Sequence, residues 1–273
     1  MPPLGGGMEI TMRKFFLYCM VVIIISLVGC VSNKYTNVRS TEQSKINPDK
    51  VLKENSKEDD LVLQFDIIAN EVSFNEGKVT IRYPYITGIE NDDDEKKINE
   101  IIKNEVMSYL QPIENIDVGQ NYSIDFDVKC SNNKLLSIIY YGSEFLEGSA
   151  YPIDVFFSTN IDLIGTKKLK LIDVIKDYEA LVEVFTSILI EENDDEMKKT
   201  AYDYIYQTYN RDDLIKGFTE ADDTYGSGRY IFSYVTNESI GFSWEVPHVI
   251  GDHVEIEIPF EKLINIIDFE KIG

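Results

Sequence analysis

The sequence predicts an α+β fold: mostly antiparallel sheets with helices packed on them, in two subdomains. Three observations predict it. Stretches with an apolar residue at every second position outnumber stretches with helical spacing. The helical stretches fall between groups of strands. Neither a repeat nor a βαβ rhythm runs along the chain.

The N-terminus reads as an export signal. Arg13 and Lys14 precede an apolar run over residues 15–28, which is shorter than the roughly 20 residues a membrane-spanning helix needs. Small residues and Cys30 follow in Leu27-Val28-Gly29-Cys30, the layout of a bacterial lipobox. Residues 1–29 are therefore the expected signal peptide, with translation expected to start at Met12 or Met8, because the Pro- and Gly-rich residues 1–7 have no place in a signal. Cys30 is the expected lipidation site, and two acyl chains there suffice for stable anchoring. The expected address is extracytoplasmic, on the cell membrane. Cys19 leaves with the signal and Cys30 takes lipid. Cys130 then stands alone, and an intrachain disulfide is excluded.

Residues 30–60 are polar, poor in aromatics and without period, as expected of a flexible tether. The first subdomain is expected over 61–175. Leu61, Leu63, Phe65 and Ile67, then Val72 and Phe74, alternate up to a turn at 75–78. Val79, Ile81 and Tyr83 alternate after it, a hairpin signal. Ile98, Ile101, Ile102 and Val106 recur at helical spacing behind Asp92, Asp93 and Asp94, which are expected to cap the helix; Pro112 ends it. Tyr122, Ile124, Phe126, Val128 and Cys130 alternate most cleanly, which predicts a strand with the Cys130 thiol on its apolar face. Two more strands are expected, at 135–145 and 151–163.

The second subdomain is expected over 176–273. Leu181, Val184, Phe185, Ile188 and Leu189 predict a helix over 178–191, and a tyrosine-rich helix is expected over 194–210. Strands are expected at 230–235 and 240–246. Val254, Ile256 and Ile258 alternate with His253, Glu255 and Glu257 in a further strand, and a short helix starts near Phe260.

Composition narrows the function. The 273 residues hold 26 basic and 48 acidic side chains, a net charge of −22. Residues 1–60 are near balance, so the acidity belongs to the folded part. Nucleic acid needs a basic stripe and is excluded; a cationic partner would be drawn in, in a salt-dependent way. No catalytic constellation stands out. His248 and His253 are the only histidines, and they lack the helical spacing of a zinc site. No GxSxG elbow, Gly-rich phosphate loop or calcium-loop spacing occurs. Neither metal nor cofactor is expected.

Three segments carry a resemblance. The first runs over 79–102, with Tyr83, Pro84, Ile86, Gly88, Ile98 and Asn99. The second runs over 147–175, with Asp162, Gly165, Leu169, Leu171 and Asp173. The third runs over 241–263, with Gly251, Ile258 and Pro259. Together they resemble the extracytoplasmic pair of domains of unknown function found N-terminal in some peptidoglycan deacetylases and in lysozyme-binding anti-sigma factors. The resemblance implies a non-catalytic envelope domain. It implies neither deacetylation nor transcriptional signalling, because both of those other domains are missing. Many relatives carry a Gly-x-His-Gly element in the middle loop. Here that loop reads Gly148-Ser149-Ala150-Tyr151-Pro152, so the role of that histidine does not carry over.

The expected function is a surface lipoprotein whose domain binds in the cell envelope. The first partner to consider is a cationic muralytic enzyme such as lysozyme, the second is wall glycan, and a wall hydrolase with unrecognised acids is a third reading. Contacts are expected on the loop over 144–152, through Glu144, Glu147 and Tyr151.

Overall fold

The computed structural model describes residues 65–74, 79–110, 120–191, 195–223 and 231–273. Cys30, the export signal, the tether, Leu61, Leu63, the turn at 75–78 and Pro112 lie outside them.

The fold is α+β, with mostly antiparallel sheets and helices packed on them. The first sheet has six strands in sequential order: β1 (Asp66–Phe74), β2 (Val79–Thr87), β3 (Gln120–Ser131), β4 (Leu135–Leu146), β5 (Ile153–Asp162) and β6 (Lys167–Leu169). Its pairings are antiparallel except one. β2 and β3 run parallel over Val79–Tyr122 to Ile81–Ile124, joined by α1 (Asp92–Leu110). One βαβ crossover is therefore present, contrary to expectation. A single parallel contact leaves no rhythm in the sequence.

The α1 helix forms where Ile98, Ile102 and Val106 recur, and all three are buried. Its cap is Asn91, not Asp92–Asp94: the Asn91 side chain accepts from Asp93 N–H (3.0 Å) and its carbonyl from Glu95 N–H (3.0 Å). The three aspartates fill the first turn instead, where negative charge meets the positive end of the helix. Beneath the helix, the register sets Tyr140 between Phe126 and Phe157, and the Tyr140 and Phe157 rings stack at 4.4 Å.

β3 contains a correction to its alternation. The register shifts between Val128, opposite Ile138, and Cys130, opposite Ser137. Lys129 is the extra residue of a bulge, so Cys130 turns to the other face of the sheet. There it joins Leu135 and Leu169 in a second core, apart from Tyr122 and Ile124 in the first. Burial pushes its thiol pKa up, which makes it an inert structural cysteine.

The second sheet has three strands, β7 (Ile231–Val235), β8 (Ser239–Glu245) and β9 (His253–Pro259). Four helices precede it: α2 (Leu171–Val174), α3 (Tyr178–Leu189), α4 (Glu196–Thr208) and α5 (Arg211–Thr219). The expected helix over 194–210 ends at Thr208, and α5 was not anticipated. Asn210 starts α5 with a capping box: its side chain accepts from Asp213 N–H, and the Asp213 carboxylate accepts from Asn210 N–H. The expected helix near Phe260 is one 3₁₀ turn, Phe260–Lys262. Phe185, Phe218, Phe242 and Trp244 pack edge-on or tilted at 5.0 to 6.2 Å and fill the second core. Among the described residues no helix is long and apolar enough to cross a membrane.

The sheets lock together through polar groups. Ser158 Oγ and Asn160 Nδ2 donate to the carbonyl of Ser233 at 2.6 and 2.8 Å, and Val235 N–H donates to Ser137 Oγ at 2.9 Å. The outward edge of β7 thus spends its ladder groups on side chains of β4 and β5 and on Asp222, whose carboxylate accepts from Ser233 N–H (2.7 Å) and whose N–H donates to the Ile231 carbonyl (2.9 Å). Phe232 and Tyr234 of β7 reach into the first core, while Ile231 and Val235 remain in the second.

Candidate functional site

The β4–β5 hairpin ends in a tip that leaves the core. Leu135 to Tyr140 are all buried, whereas residues 146–154 are all exposed. The register puts Glu144 opposite Ile153 and Ser143 opposite Asp154. Leu146 O accepts from Ser149 N–H at 2.9 Å, and Gly148 takes the left-handed conformation this turn requires (φ +96°).

Of the residues expected to make contacts, Glu144 is half-buried on the strand, while Glu147 and Tyr151 stand in solvent, Tyr151 at 71% exposure. What the structure gives them in common is one end of one hairpin. Leu146 (45%) and Ile153 (48%) add exposed apolar surface there.

A second segment joins this end. Pro247 starts a 3₁₀ turn, His248–Ile250, and Gly251 (φ +113°) and Asp252 (φ 65°) close it in left-handed conformations. Asp252 then ties two segments together. One carboxylate oxygen, Oδ2, accepts from Asp154 N–H at 2.8 Å. The other, Oδ1, lies 2.8 Å from His248 Nδ1. The turn holds Val249 at 89% exposure. Sequence reasoning missed this link; its only trace was the Pro and Gly bracketing "PHVIG".

The two histidines do not converge. His248 is exposed, whereas the His253 ring packs on Phe156 at 5.1 Å and its buried Nδ1 has no hydrogen-bond partner among the described residues. Burial lowers the His253 pKa, against the opposing pull of Glu255, Asp154 and Asp252. Among the described residues, no group of three or more His, Cys, Asp or Glu is placed to hold a metal ion.

One further polar cluster lies on the second sheet. The Tyr234 hydroxyl sits 2.9 Å from Glu255 Oε2 and 3.1 Å from Glu257 Oε1, with Lys129 Nζ 5.7 Å from the ring centre. Burial, then the two carboxylates, push the phenol pKa far up. The group stays protonated and serves as a donor. The ring lies flat on Gly241, its cross-strand partner.

No family model matches the sequence, and no curated protein matches it. The chain is similar to the solved structure of a DUF3298 family member from Bacteroides fragilis. Identity is 21%, coverage is 76% of this chain and 94% of that one, and the TM-score is 0.46. It is also similar to a DUF3298 family protein from Pseudomonas aeruginosa PAO1, at 14% identity, the same two coverages and a TM-score of 0.44. The structural neighbours of this chain are thus DUF3298 family proteins.

Proposed function

We propose that the chain is a surface lipoprotein, anchored through Cys30, whose domain binds a cationic protein of the cell envelope, such as a lysozyme-like muralytic enzyme, without catalysis. The observation that carries the reading is the hairpin end. Exposed Tyr151, Leu146 and Ile153 lie among Glu144, Glu147 and Asp154, and Asp252 pins the return strand to the turn bearing Val249. An aromatic and aliphatic centre with an acidic rim is the composition of a binding surface for a basic partner. The net charge of −22 speeds the approach of such a partner.

The exposure of Tyr151 also favours a second reading, stacking on wall glycan. Salt separates the two. The secreted chain with Cys30→Ala is tested against a cationic lysozyme and against purified wall fragments at low and physiological salt. Binding to the enzyme that weakens steeply with salt supports the first reading. Salt-insensitive binding to wall fragments alone replaces it with the second, and binding to neither refutes both.

A further inference from the structure

β1 is an edge strand of an unusual kind. The other edges are short, sealed or closed by proline: β6 has three residues, the outward groups of β7 are taken by Ser137, Ser158, Asn160 and Asp222, and β9 ends in Pro259. β1 has nine residues, DIIANEVSF, without Lys, Arg or Pro. Among the described residues, none hydrogen-bonds to its outer edge. A bare edge of this length is a template for another strand.

The register identifies which groups face outward. Ile86, opposite Ile67, gives both its N–H and its carbonyl to the Asn99 side chain (2.8 Å each). Pro84, opposite Ala69, has no N–H. Neither pair exchanges ladder bonds, so Ile67 and Ala69 point their N–H and C=O away from β2, and the period of two adds Glu71 and Ser73.

We propose that a second copy of this chain pairs with β1, antiparallel about a two-fold axis at Asn70, joining two six-stranded sheets into one. In this register Ile67 meets Ser73 of the second copy and Ala69 meets Glu71 of the second copy, so all four outward residues on each side find ladder partners. Asp66 meets Phe74 and Glu71 meets Ala69, so no acid stands directly opposite an acid. Ile68, 49% exposed, meets Val72. This self-match favours a second copy over an unrelated strand. The leading ends of the two β1 strands lie about 30 Å apart. The chain between Cys30 and Asp66 reaches roughly 120 Å at full extension, so two copies anchored at Cys30 reach the same membrane.

Charge gives the test its sign. Two chains of −22 repel each other, so salt strengthens the pairing, the opposite of what it does to a cationic partner at the hairpin end. The secreted chain with Cys30→Ala is sedimented at low and high salt over a wide concentration range. The expected result is a doubling of mass that grows with salt. Ala69→Pro removes one outward N–H and abolishes the doubling, with the far-ultraviolet spectrum unchanged. Asn70→Cys places two thiols across a non-hydrogen-bonded pair with Cα atoms about 4.5 Å apart, within disulfide reach, and an oxidised dimer forms through Cys at 70. A chain that stays monomeric at high salt and high concentration overturns the proposal. So does a dimer that neither Ala69→Pro dissociates nor Asn70→Cys locks. Neither outcome depends on what the hairpin end binds.

Discussion

Asp222 accepts two hydrogen bonds from Ser233, one from its N–H and one from its hydroxyl, each 2.7 Å long. A third comes from Leu171 N–H at 2.8 Å, at the start of α2. The residue is fully buried, adopts a left-handed conformation (φ 65°), and takes Lys168 Nζ on its own carbonyl at 3.0 Å. One residue therefore fastens three elements: its carboxylate holds β7 and α2, and its backbone carbonyl holds Lys168 of β6. Asp222→Ala strands buried donors and is expected to cost about 3–5 kcal/mol. Asp222→Asn tolerates the left-handed backbone and keeps one acceptor oxygen, though its amide N–H then faces one of the two backbone donors, so it costs less than Asp222→Ala, about 1–3 kcal/mol. Urea unfolding of the three proteins measures the order.

His253 makes stability depend on pH. Its folded pKa lies below the ordinary 6.5 because burial disfavours the imidazolium. The unfolded chain thus takes up the proton first as pH falls. The contribution is fully present above the unfolded value and is lost as pH drops through the lowered folded value. His253→Gln lacks this titration. The stability of the natural chain relative to the variant is expected to decline below pH 6.5, and chemical denaturation at several pH values checks it.

Gly241 lies under Tyr234. A Cβ at 241 would stand 2.1 Å from Tyr234 Cζ, so the ring must leave. Gly241→Ala is expected to destabilise by about 2–4 kcal/mol, through the displaced ring and its lost bonds to Glu255 and Glu257. Adding Tyr234→Ala is expected to return part of the loss, a coupling read from a double-mutant cycle.

Asp252→Ala cuts the hairpin end from the 3₁₀ turn. The expected cost is about 1–2 kcal/mol, with faster hydrogen exchange at the amide of Asp154. His248→Ala leaves the bond from Asp154 in place and is expected to leave that exchange rate unchanged.

At the hairpin end, Tyr151→Ala is expected to weaken the cationic partner about 10- to 100-fold, mainly in the off-rate. Glu147→Lys is expected to slow association and flatten its salt dependence. Both side chains are exposed, so stability should move by less than about 0.5 kcal/mol. Surface plasmon resonance separates the rates.

The elements legible in the sequence were those with a strong local period. The β2 strand, α1, α3, β8 and β9 follow their apolar spacing within a residue or two. What failed was set by contacts distant in sequence. The β3 alternation holds until Lys129, where neither Gly nor Pro marks the bulge that turns Cys130 to the other core. Ser158 and Asn160 sit where alternation ordinarily assigns a solvent face, yet both are buried because β7 lies on them. The helix over 194–210 ends two residues early because Asn210 caps a new helix, a local signal present in "NRDD". At the hairpin end Glu147 and Tyr151 were legible as exposed loop residues. Asp252 was not, because its partner Asp154 lies 98 positions away.

The sealed edge of β7 has a consequence for assembly in time. Three of the side chains that satisfy it, Ser137, Ser158 and Asn160, belong to strands made long before Ile231 is synthesised. As the chain emerges N-terminus first, the six-stranded sheet can form while the polar groove on its face still has no occupant. The later sheet then keys into a socket already built. A chain arrested before Ile231 would leave that socket open to water, with Ser137, Ser158 and Asn160 lacking the backbone partners that β7 brings.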